Sequence, residues 1–213
     1  MKSPSHSALR KPKSPAQARA AILQASLEEF AHRGFEGATV RDIAARTDLS
    51  HGMIRYHFET KEKLWLAAVE FLFERINREV SLDDEERLRL ESGELDVFRN
   101  YLRRYVIYCA KHPEHARFMM QESLTPTPRL AQVVERFVRD NHIATLRTLR
   151  RLQTDGLLSA TFHPESLLYI IAGACQNMFA LAEEARLALD YDVTTDEALE
   201  AHISTVIELF CPS

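Results

Sequence analysis

The side chains best placed to do chemistry in this chain crowd between residues 51 and 57, where His51, Met53, Arg55, Tyr56 and His57 surround Gly52. A polar and aromatic set of this kind on one helix face, with a glycine that lets the backbone come close to an outside partner, is suited to binding rather than turnover. Catalytic signatures are missing: there is no Gly-rich phosphate loop, no His-Glu-x-x-His and no Gly-x-Ser-x-Gly. His112-Pro113-Glu114-His115 offers metal-ligating types, but Pro113 places them at a helix start and no third ligand follows nearby, so we read them as structural. Cys109, Cys175 and Cys211 are odd in number, far apart and set in apolar stretches, which reads as buried thiols. No enzyme, metal site or cofactor is expected.

The elements that must carry the 51–57 face follow from capping and spacing. Ser14-Pro15-Ala16-Gln17 pairs a Ser cap with Pro at the first helical position and Gln three after the cap. The helix it starts has apolar positions Ile22, Leu23, Leu27 and Phe30 and stops at Gly34, expected in a left-handed cap. Thr39-Val40-Arg41-Asp42 repeats the capping arrangement for a short helix to Thr47, and Asp48 is expected to take a left-handed turn. Ser50 caps a third helix through Phe58. Ile54 and Phe58, four apart, face inward onto Ile43 and Ala44, with Leu49 in the turn, which leaves the chemical residues outside. Two short helices joined in this way form a helix-turn-helix over about residues 39–58.

Thr39-Val40-Arg41-Asp42-Ile43-Ala44, then Ser50 through Phe58, then Thr60-Lys61-Glu62-Lys63-Leu64 resemble the DNA-binding domain of TetR/AcrR-type transcriptional regulators over about residues 16–76. Two positions depart from the pattern: Asp48 stands where glycine is common, and Arg55 where many relatives carry an aromatic residue. The resemblance implies base reading by Arg41 and Arg55, with His51, Gly52 and Met53 on the same face. It implies phosphate contacts for Thr39, Ser50, Tyr56, His57 and Lys61, aided by helix N-termini. Plainer roles compete: His57 as a half-buried brace, Tyr56 packed on the first helix, and Lys61 as a solvated surface lysine.

The remainder of the chain is expected to be all helical. Of 213 residues, 46% are hydrophobic and 27% charged, with 6 Gly and 8 Pro, which supports a real core and leaves few turns for a β-sandwich. Residues 1–63 hold eleven Lys and Arg against seven Asp and Glu, and the rest sixteen against twenty-four, so a basic head joins an acidic body. We divide the chain into a basic flexible tail (1–15), a DNA-binding head (16–76) and an effector-binding and dimerisation body (77–213). Nine helices are expected, including 64–76, about 96–111, 113–122, 127–154, 164–189 and 196–210, with Asp83–Gly93 as a loop. Trp65 and Phe71 would pack the connecting helix on the body. The 164–189 helix is apolar on more than one face and, with the last helix, would pair with a second copy, as the resemblance implies; a central place in its own bundle is the alternative. The resemblance also implies a small-molecule effector, for which Tyr101, Tyr105, His142, Gln176, Asn177 and Phe179 are the candidate contacts. No run is long enough to span a membrane and no signal segment is evident, so a cytoplasmic homodimer on an inverted-repeat operator is expected, a repressor released by its effector. A ligand-independent architectural DNA-binding protein is the competing reading, and a helical enzyme a more distant one.

Overall fold

The computed structural model describes residues 14–47, 49–124 and 126–211; the expected N-terminal tail and the turn at Asp48 lie outside them, save Ser14 and Pro15. Twelve α-helical segments and no strand occur among the described residues: α1 (Pro15–Gly37), α2 (Val40–Thr47), α3 (His51–Phe58), α4 (Lys61–Val80), α5 (Asp84–Glu91), α6 (Leu95–Lys111), α7 (Pro113–Leu124), α8 (Pro128–Val133), α9 (Arg139–Thr154), α10 (Pro164–Ala180), α11 (Ala182–Leu189) and α12 (Asp196–Phe210). A π-helical segment, Val134–Val138, joins α8 to α9. The chain forms two compact units that meet between Leu72 and Phe73, inside α4. No single helix is long and apolar enough to cross a membrane.

In the first unit the Ser14 hydroxyl accepts from the Gln17 N–H at 3.2 Å and starts α1. Gly34 breaks helical geometry at φ 68°, ψ 173°, a region open essentially to glycine alone, rather than in the left-handed helical cap expected. Ile22, Leu23, Leu27 and Phe30 of α1, Ile43 of α2, Ile54 and Phe58 of α3 and Leu64 of α4 are all buried. Trp65, expected on the body, is buried within this unit with its ring edge-on to Phe35.

The second unit is built on α6, which packs against α5, α7, α10 and α12. Val97, Leu102, Val106 and Cys109 meet Leu168, Ile171, Cys175 and Phe179 of α10 and Ile203 and Val206 of α12 in one core. All three cysteines are buried free thiols, and burial pushes Cys175 up to about 12 and Cys211 to about 11, so they stay protonated.

Three departures turn the nine expected helices into twelve. Asp83–Gly93 is no loop: Asp83 accepts from the Glu86 N–H (2.8 Å) while Glu86 accepts from the Asp83 N–H (3.1 Å), and the acidic first turn suits the helix dipole. The long 127–154 helix widens at Val134–Val138, where Phe137 lies flat on Phe73 at 5.0 Å. The 164–189 helix bends by 67° at Leu181, because Arg117 of α7 takes the carbonyls of Ala180 (2.9 Å) and Phe179 (3.4 Å) that a continuing helix would use.

At the body end of α4, Arg75 pairs with Glu114 at 2.8 Å, both buried. His112 lies between Glu79 (3.5 Å) and Glu114 (3.6 Å), and His115 Nδ1 meets the Tyr108 hydroxyl at 2.8 Å. Burial and the positive Arg75 hold His115 down at about 3, so its ring is neutral where it shares a hydrogen bond with the phenol, itself pushed up to about 12 by burial. Below the unfolded value of about 6.5 the unfolded chain gains a proton that the folded chain refuses until about pH 3. Stability from this group is therefore complete above pH 6.5 and falls by about 1.4 kcal/mol per unit as pH drops. Urea midpoints at pH 6.5 and 5 should show the wild type losing about 2 kcal/mol more than His115→Gln; equal losses would contradict a neutral buried ring.

Candidate nucleic-acid interface

The interface begins with what holds α2 on α1. Glu29, 1% exposed on α1, accepts from Arg46 Nε of α2 at 2.8 Å and forms an ion pair with Arg33 Nε of its own helix at 2.9 Å. Arg33 also reaches Asp42 at 3.4 Å. Asp42 in turn accepts from the Thr39 hydroxyl (2.7 Å), and Thr39 Oγ1 accepts from the Asp42 N–H (3.1 Å). The chain of ion pairs and caps thus runs from α1 to the first turn of α2. Because the Thr39 proton is used internally, a phosphate there would meet the backbone N–H groups of the helix start rather than the hydroxyl.

Ser50 Oγ accepts from the Met53 N–H at 3.2 Å and starts α3. With Ile54 and Phe58 buried, the remaining face presents His51, Gly52, Met53, Arg55, Tyr56 and His57 to solvent. Tyr56 is 83% exposed, which excludes packing on α1, and His57 is exposed rather than a brace, its ring edge-on to Tyr56. Arg41 and Arg55 make no hydrogen bond or ion pair among the described residues. A Cβ added at Gly52 would meet only Ser50 Oγ at 3.9 Å, so the fold does not require glycine there and the bare backbone is open to a partner. Lys61 is half-buried rather than freely solvated: its Nζ donates to the Glu36 carbonyl (3.3 Å) and sits 4.5 Å from the Phe35 ring centre. His51, Arg55, Thr60 and Lys61 line a notch of about 220 Å³ between α2, α3 and the start of α4.

The link from α3 to α4 is a tight γ-turn. Glu59 stands at φ 59°, ψ −58°, with the Thr60 N–H donating to the Phe58 carbonyl at 2.6 Å. Such a turn is rare and strained for a residue with a side chain. Thr60 then caps α4, accepting from the Lys63 N–H at 3.2 Å.

The model of bacterial regulatory proteins of the tetR family matches residues 22–68, and that of the Tetracyclin repressor-like C-terminal domain matches residues 98–208. The chain belongs to the TetR family. It is 31% identical over 158 residues to the HTH-type transcriptional repressor AcnR of Corynebacterium glutamicum, covering 68% of this chain and 82% of that protein. Over 59 residues it is 44% identical to the HTH-type transcriptional repressor Rv3405c of Mycobacterium tuberculosis; that match spans 28% of this chain and 31% of the relative. Among solved structures, SCO4942 from Streptomyces coelicolor superposes with a TM-score of 0.64 at 24% identity, covering 91% of this chain and 98% of that one. AibR in complex with isovaleryl coenzyme A and operator DNA gives 0.69 at 14% identity, covering 92% and 98%. At these identities the two structures establish a shared fold.

In this TetR-family chain the six residues named for an effector occupy separate places. Tyr101 and Tyr105 follow Phe98 in a row of rings on α6, their hydroxyls pushed up by burial, Tyr101 to about 12. His142 is half-buried, its ring edge-on to the exposed Tyr169. Phe179 is core, edge-on to His202. Gln176 is half-buried, while Asn177 is exposed. A cleft of about 520 Å³ opens between α5 and α9, and none of the six lines it.

Sequence reasoning missed Glu29 and Glu59. The signal for Glu29 was available, since it falls at a core position seven after Ile22; nothing in the sequence marks the γ-turn. Replacing Arg33 and Arg46 together by Met strands a buried carboxylate and should cost about 3–5 kcal/mol. Glu29→Gln, which leaves two half-exposed arginines to water, should cost roughly 1–2 kcal/mol in the same urea titration; the reverse order would refute the clamp. Glu59→Gly should raise unfolding stability by about 1 kcal/mol, as relief of strain exceeds the added chain entropy.

Proposed function

We propose that this chain is a transcriptional regulator that binds operator DNA as a homodimer, a repressor released by a small-molecule effector, with no catalytic activity and a cytoplasmic place of work. The observation that carries the reading is the α3 face, where Arg55, His51, Met53 and an almost fully exposed Tyr56 project from a helix whose inner side is locked by Ile54 and Phe58. Tyrosine is enriched at interfaces, where its ring packs and its hydroxyl stays hydrogen-bonded. Arg41 and Arg55 read guanine edges in the major groove, while Ser50, Tyr56, His57, Lys61 and the helix start at Thr39 fix the register on phosphates.

Dimerisation through α10 and α12 is supported by apolar groups left in water, among them Tyr169 (69%), Ile170 (57%) and Leu209 (67%). Gly173 and Ala201, small residues of these two helices, permit close approach between helices of two copies. The effector acts on the body, whose Phe73–Phe137 stack and Arg75–Glu114 pair grip the same helix that enters the head. A ligand that repacks this grip changes the spacing of the two heads. The coupling is reciprocal, so operator weakens effector by the factor that effector weakens operator. Release of bound DNA by a small molecule separates this reading from a ligand-independent architectural role.

Operator selection followed by polarisation titrations tests the mapping. Arg55→Ala should relax base preference at one position of each half-site by about 1–3 kcal/mol, whereas Lys61→Ala should weaken all sequences alike and flatten the salt slope by about one. Selected sites should be inverted repeats with half-sites roughly 34–36 Å apart or a multiple of it. Unchanged binding in both variants, or a single asymmetric site held by a monomer, would overturn it.

A further inference from the structure

The cleft between α5 and α9 combines an apolar floor with an excess of cations. Leu90 and Leu152 are buried beneath it and Leu82 is half-buried at its edge. Three guanidinium groups, Arg87, Arg147 and Arg151, line it against one carboxylate, Glu91. Two of the three are already engaged: Arg87 Nε donates to the Leu82 carbonyl at 3.1 Å and Arg151 Nε to Asp155 at 2.8 Å. Arg147 is exposed and makes no hydrogen bond or ion pair among the described residues. Thr148 donates its hydroxyl to the Ala144 carbonyl at 3.3 Å, so the cleft's remaining side-chain hydroxyl is spent.

The wall formed by α5 is built in place rather than draped. Its capping box fixes the first turn, and Arg104 of α6 holds Glu86 through two bonds, at 2.7 and 3.1 Å. A preformed wall lowers the ordering cost of binding. The volume, about 520 Å³, is that of a small-molecule site rather than of a macromolecular groove.

We propose that this cleft binds a small amphiphilic anion, an aliphatic chain ending in a carboxylate or phosphate, with the chain on Leu82, Leu90 and Leu152 and the head group on the Arg147 guanidinium. A planar guanidinium meets either head group through two parallel N–H donors, and the leucine floor takes the chain out of water. Leu82 lies in the short link from α4 to α5, so an occupant presses on the segment that follows α4. Only that regulatory consequence rests on the proposed function; binding stands apart from it.

Calorimetric titration of the full chain with octanoate, octyl phosphate and octanol tests the site. One or both anions should bind saturably at one per chain, the tighter one naming the head group, and octanol should bind at least tenfold more weakly. Arg147→Gln, a change at an exposed side chain, should weaken the anions about tenfold and leave octanol unmoved. Ala144→Phe, which fills the cleft, should abolish all three while retaining the melting temperature of the free protein. No saturable anion binding, octanol binding as well as the anions, or anion affinity unchanged in Arg147→Gln would each overturn the proposal. Operator affinity measured in parallel reports separately: its absence alongside intact octanoate binding sinks the regulatory reading and leaves the site standing.

Discussion

The carboxylate of Glu29 is the constraint on which the head depends. A charge at 1% exposure inside a helical core is costly unless it is matched, and here it is matched by Arg33 from its own helix and Arg46 from the next. Because Arg33 also reaches Asp42, which caps α2 with Thr39, one buried acid sets where α2 starts and how it lies on α1. Apolar packing alone tolerates sliding and rotation; a directional set of charge-assisted bonds does not. The Ile54 and Phe58 anchors can then fix α3 on a helix that is itself fixed, and the outer face inherits that rigidity.

The body solves the corresponding problem differently. Its grip on α4 joins a buried ion pair, Arg75 with Glu114, to a flat ring stack, Phe73 on Phe137, and the Arg75 guanidinium set over the Tyr108 ring at 5.7 Å. Each belongs to a different neighbour: α7, the π-helical segment and α6. One helix is thus held by three elements, and its position depends on the packing of each. That Phe137 sits within the π-helical segment fits the frequent use of such wide turns at working positions.

Much of this architecture is legible in the chain itself, wherever short-range chemistry decides. The caps at Ser14, Thr39 and Ser50, the break at Gly34 and the inward pair Ile54 and Phe58 all follow from residue type and spacing, and with them the face that carries His51, Arg55 and Tyr56. Two of the misses rest on distant partners. The bend at Leu181 depends on Arg117, more than sixty positions earlier, and Phe137 of the π-helical segment finds its partner in Phe73 of α4. The acidic stretch after Asp83 is a different case: its composition is that of a solvated loop, yet Asp83 and Glu86 stand at the spacing of a capping box and exchange reciprocal bonds at the start of a helix. Asn177 falls among apolar neighbours in sequence yet points outward, because one face of α10 is left uncovered within the chain.

The burial of Trp65 beside Phe35 has a practical consequence. It is the chain's one tryptophan and lies in the first unit, whereas five of the six tyrosines, Tyr101, Tyr105, Tyr108, Tyr169 and Tyr191, lie in the second. The two units therefore carry separate intrinsic chromophores. Indole emission follows the loosening of the head, and tyrosine absorbance follows the body, so a single unlabelled sample reports whether the two halves melt together or one before the other.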